Sequence, residues 1–176
     1  MSNTFFANTS SIGFDASNMS ATALFAVGTH MLGNNETEWV YVQAQTTISA
    51  VSWVAFNSTF SAGMASAGDV AANGMTIALA NATISASSYG WVAIRGLGLS
   101  GLFTGTGSLA LTSGQLQLAS SAGPTGVMML GTVGTASCTI AGASLVATAS
   151  SSATGLGAGA SNVTLFNLYW PQQATR

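Results

Sequence analysis

The chain contains no lysine, and its 176 residues include only two glutamates and two arginines. Such a sequence lacks most of the long, straight side chains that favour helix, while Gly, Ser, Thr and Val interrupt it at short intervals. Short apolar runs between turn residues are what remain, and these read as β-strands. Glu38–Ala44 is the clearest example: Trp39 and Tyr41 fall on the opposite phase to Val40 and Val42, as a two-residue strand period requires. Thr22–Gly28, followed by Gly33-Asn34-Asn35, is expected to pair with it as a hairpin.

Further strands are expected at Val51–Phe56, Met75–Ala80, Tyr89–Leu97, Leu99–Phe103, Gln115–Leu118, Val127–Leu130, Cys138–Ile140, Ser144–Thr148 and Val163–Tyr169. Roughly ten to twelve short strands with turns every 8–12 residues or so is the pattern of an antiparallel β-sandwich or barrel, jelly-roll-like, with at most one short helix. Residues 1–20 are polar with Phe5, Phe6, Phe14 and Met19 spaced through them, and read as an extended arm whose aromatics need a surface elsewhere. Residues 21–176 then form a single β domain. Within it Ser150–Ser161, rich in Gly, Ala and Ser, reads as a flexible loop. No fixed-period repeat runs through the chain.

The same scarcity of charge bears on function. From Val70 to Thr175 the only ionisable charge is Arg95, and from Gly96 to Thr175 there is neither a charge nor a histidine. Acid–base, metal and phosphate chemistry draw on Asp, Glu, His, Lys, Cys or Arg, so an enzyme is disfavoured and no cofactor is expected. With a net charge of −2 the chain has no basic footprint for nucleic acid or anionic lipid. Mean hydropathy is positive, +0.50, yet apolar runs such as Val127-Met128-Met129-Leu130 are far short of the ~20 residues a spanning helix needs. The first residues lack the charged and apolar regions of a signal peptide. Together these features lead to a soluble protein made in the cytoplasm. The lone Cys138 allows no internal disulfide and reads as a small buried hydrophobe. Asn-x-Ser/Thr sequons begin at Asn8, Asn18, Asn35, Asn57, Asn81 and Asn162, a modest excess that carries little weight without a secretory context.

Each local motif has an ordinary reading. Gly96-Leu97-Gly98-Leu99-Ser100-Gly101 matches G-x-G-x-x-G, but no helix signal or acidic residue follows, as dinucleotide binding would demand. Glu36 and Glu38 would share one strand face beside Asn34 and Asn35, and read as solvated turn residues rather than an acid–base or calcium pair. Asp69 after Gly68 is likewise turn chemistry. His30, the only imidazole, has no nucleophile elbow or further nitrogen ligands to work with, and reads as a hydrogen-bonded structural residue. Arg95 lies mid-strand with no acid nearby in sequence. It either points to solvent, the favoured alternative, or reaches an acid or carbonyl cluster across a subunit boundary.

Three stretches carry a resemblance. Gly28-Thr29-His30-Met31-Leu32-Gly33 leads into Glu38-Trp39-Val40-Tyr41-Val42-Gln43-Ala44. Tyr89-Gly90-Trp91-Val92-Ala93-Ile94-Arg95-Gly96 comes next, and Leu168-Tyr169-Trp170-Pro171 closes the chain. This order, over about residues 22–170, resembles the head decoration or capsid cement proteins of tailed phages. The chain is poorer in charge than that pattern. The resemblance implies an all-β, non-enzymatic virion protein bound to the outer face of an icosahedral shell, partnered by the major capsid protein and by itself, often as a trimer. Phe5, Phe6 and Phe14 are then the candidate capsid or subunit contacts. The alternative is a surface-exposed β binding module of receptor-binding or adhesin-like type.

Overall fold

In the computed structural model, the described residues are 15–33, 36–66, 75–104, 115–118, 126, 128–131, 140–145 and 162–173. They form ten strands and no helix: β1 His30–Leu32, β2 Glu38–Ala44, β3 Trp53–Phe56, β4 Ser61–Met64, β5 Thr76–Ala80, β6 Tyr89–Thr104, β7 Gln115–Leu118, β8 Met128–Gly131, β9 Ile140–Leu145 and β10 Asn162–Gln173. Of the alternatives open to an all-β chain, the structure takes the closed barrel and adds strands to it. β2, β4, β3, β5 and β6 pair in that order, and β6 returns to pair with β2. Pairing is antiparallel except for two short parallel contacts, β2 with β4 and β6 with β8.

The barrel strands other than β4 are apolar on both phases, and the structure shows why. Val40, Val42, Ala44, Val54, Phe56, Ala62, Ala78, Ala80, Val92 and Ile94 form one buried cluster, with contributions from every strand of the ring and none from β10. That cluster is the barrel interior. The register agrees: Val92 stands opposite both Val40 and Ala80, and Ala62 opposite Phe56 and Ala44. Ile48 and Ile84 close one end, their backbones exchanging two hydrogen bonds of 2.9 Å between the β2–β3 and β5–β6 loops.

The alternate residues, Trp39, Tyr41, Trp53, Ala55, Ile77, Leu79, Trp91 and Ala93, face outward yet are equally buried, because other parts of the chain cover them. Over one part lies the 15–29 segment. Ser20 and Tyr89 exchange backbone hydrogen bonds, Leu24 N–H donates to the Tyr41 hydroxyl at 3.2 Å, and the Phe25 ring meets Tyr41 and Trp91 edge-on at 5.4 and 5.3 Å. Over the other lies β6 itself. Ala93 stands opposite Leu79 in the barrel wall, and eight residues later Gly101 packs on the Leu79 side chain. A straight strand would have carried Gly101 about 26 Å away, so β6 folds back on itself.

The bend falls at Gly96 (φ 153°) and Gly98 (φ 66°), conformations open to glycine but not to other L-residues without strain. From Arg95 onward β6 pairs with β10, and β10 pairs with β9, making an outer layer on the barrel. Leu102 is held twice: its N–H donates to Val51 O at 2.7 Å, and its carbonyl accepts from Trp53 Nε1 at 3.0 Å. Trp53 meets Phe166 of β10 edge-on at 4.9 Å.

Several expectations change. Thr22–Gly28 is not a strand; it runs as bends over the aromatic face, and the hairpin partner of β2 is the shorter β1. Leu97 and Leu99 belong to one bent strand rather than two, and Ser144 lies in the same strand as Ile140. β4 was hidden in a Gly/Ser/Ala stretch and pairs because Asn57 closes the preceding turn, its Oδ1 accepting from Thr59 N–H, Thr59 Oγ1–H and Ser61 N–H. The Ser150–Ser161 loop lies outside the described residues.

Candidate functional site

Four of the charged or titratable side chains converge although they are scattered in sequence. β1 and β2 set Leu32 opposite Glu38, β2 and β6 set Glu38 opposite Arg95, and β6 and β10 set Arg95 opposite Tyr169. One row therefore crosses four strands. His30 Nδ1 lies 2.8 Å from Glu38 Oε1, and Arg95 Nη2 lies 3.7 Å from Glu36 Oε2. Glu36 occupies the turn between β1 and β2 with φ 58°. It does not share a strand face with Glu38, which corrects that expectation.

Glu38 also departs from the solvated reading, since its side chain is only 14% exposed while Glu36 is 68% exposed. Arg95 is exposed and does reach an acid, but one on its own chain brought close by the β2–β6 register. His30 makes the hydrogen bond expected of a structural histidine. Asp15 is turn chemistry, its carboxylate accepting from the backbone and hydroxyl of Ser17. Asp69, Cys138 and Arg176 lie outside the described residues, as do Phe5, Phe6 and Phe14.

The His30–Glu38 pair joins β1 to β2, with His30 at the surface and Glu38 mostly covered. The Arg95–Glu36 pair is exposed at both ends, and pairs of that kind contribute about 0–1 kcal/mol. Among the described residues no group of three His, Cys, Asp or Glu side chains could hold a metal ion. The G-x-G-x-x-G run lies wholly within β6, with no helix N-terminus to receive a phosphate.

The rest of the described surface is marked by apolar side chains. Met19, Leu24, Val27, Leu32, Leu97 and Tyr169 are exposed, with Leu24 the most exposed at 63%. Leu32 and Tyr169 end the charged row on its two sides. Sequence reasoning placed contact on the arm phenylalanines and did not single out these residues. The signal was present only as single apolar residues in bends and strands, which are common on any surface.

No protein family, curated protein or solved structure matches this chain. No helix among the described residues is long and apolar enough to cross a membrane.

Proposed function

We propose that this chain is a non-enzymatic structural protein that works by packing: a phage capsid cement protein, bound on the shell exterior to the major capsid protein and to copies of itself as a homotrimer. One observation carries this reading. A chain with only two basic and four acidic residues presents six large apolar side chains to solvent, on a barrel whose core is already complete without them. Contacts that exclude charge avoid ion desolvation and change little with salt, which suits a protein that must hold a shell together. The sequence resemblance points to the same reading, and Trp39, Tyr41 and Trp91 of the resembling stretches, being core residues, are not available as contacts.

The test is co-expression with the major capsid protein of the same virus, followed by counting copies on the assembled shell. Stoichiometric occupancy that persists at 1 M salt or so is expected, and no occupancy overturns the reading. Binding to host cells or glycans without capsid affinity would establish the receptor-binding module instead. An arm deletion should stop at residue 14, because Ser20 is bonded to Tyr89 and its loss would disturb the barrel. If residues 1–14 carry the capsid contact, their removal lowers occupancy without unfolding the protein.

A further inference from the structure

The chain passes from barrel to outer layer once. Every barrel strand is complete by Arg95, and every strand of the outer layer, including β10 and β9, lies at or beyond Gly96. The passage is the bend at Gly96 and Gly98 inside the longest strand. The surface on which the outer layer sits is formed by Trp53, Ile77 and Leu79 of the barrel, and it receives the backbone of Gly101 and Leu102 and the side chain of Phe166. Straightening the two glycines would turn β6 into an unbroken strand of roughly 50 Å. The outer layer would then be carried well beyond its own barrel.

We propose that this face of the barrel is an interaction surface for a second copy of the chain, whose outer layer occupies it after β6 straightens. Every contact of the exchanged form is one already made within a single chain, so no new complementarity is needed and only the hinge differs. Among the described residues the barrel interior receives no side chain from the outer layer, and it stays folded through the exchange. The inference concerns the isolated protein and does not depend on capsid binding.

Gly98 isolates the hinge, because a Cβ there would meet nothing within 4 Å and only its φ of 66° would be affected. Gly98→Val disfavours the bend, whereas Gly98→Asn tolerates left-handed backbone. Sedimentation equilibrium of the purified full chain is expected to show association strengthened about tenfold per hinge, hence about a hundredfold for a dimer, in the valine variant. The asparagine variant should stay near the parent. Exchange is separated from side-by-side association by two single-cysteine variants in a Cys138→Ser background, Leu79→Cys and Gly101→Cys. Refolded together and oxidised, they should form an interchain disulfide.

A Gly98→Val protein that sediments like the parent overturns the proposal. So does a failure to cross-link between chains while the double variant closes within one chain. Should the variants not fold, hydrogen exchange of the unmodified protein decides. The Leu102 amide, whose bond to Val51 O is lost on opening, exchanging ahead of Val54 and Val92 supports an outer layer that opens alone, and exchange of all three only together overturns it.

Discussion

Two hydrophobic clusters lie back to back across the wall of one barrel, and they are made of different side chains. The interior holds Val, Ala and Ile with Phe56 its one aromatic, while the outer face holds three tryptophans and a tyrosine. A five-stranded ring encloses little volume, so small and β-branched residues fill it without strain. The outer face has no such limit, because what covers it is a bent strand, a neighbouring sheet and a folded segment that can adjust to large rings. The inside is fixed by closure of the ring. The outside depends on which segments come to lie on it.

The largest test of this contrast is Trp53→Ala. It removes a fully buried ring on which Phe166 packs and the donor to the Leu102 carbonyl, and should lower unfolding free energy by about 3–5 kcal/mol in urea titration. A loss below about 1 kcal/mol would mean that the outer layer is not seated on Trp53. Next, Ala78→Leu adds bulk where the ring cannot expand, with an expected loss of about 1–3 kcal/mol. Ala143→Leu, half-buried in the outer layer, should change stability by less than about 0.5 kcal/mol. Equal effects at the two alanines would remove the distinction between rigid interior and adjustable exterior.

Val51→Gly should act in the opposite direction. Val51 holds φ 56°, a strained conformation for a β-branched residue, because its N–H donates to Ala80 O and its carbonyl accepts from Leu102. Glycine keeps both bonds without the strain, so a gain of up to about 1 kcal/mol in thermal or urea unfolding is expected. The smallest effect belongs to the charged row. Arg95→Met should cost less than about 1 kcal/mol, and less still at high salt, as measured by urea titration in low and high salt.

Much of the barrel was legible because its strands carry a local signal. β2, β5 and the first half of β6 are runs of β-branched and aromatic residues bounded by turns, and each was placed to within a residue or two. β4 was not, because Ser61-Ala62-Gly63-Met64 has no strand pattern of its own and pairs only because Asn57 turns the chain back against β3. Thr22–Gly28 failed in the other direction. Its composition suits a strand, but the segment instead lays Phe25 edge-on against the adjoining rings of Tyr41 and Trp91. The Gly96–Gly101 run serves as a bend inside β6, a use that could not be read from spacing alone.

Composition alone determined that this chain folds as β-structure and that ionisable groups are scarce along it, because propensity and residue supply are local properties. The tertiary structure decided that the strands close into a ring, that Arg95 meets Glu36, and that β6 turns back at two glycines to cover Trp53 and Leu79. These are outcomes of long-range register and packing, in which residues far apart in sequence must find one another before either gains from the contact.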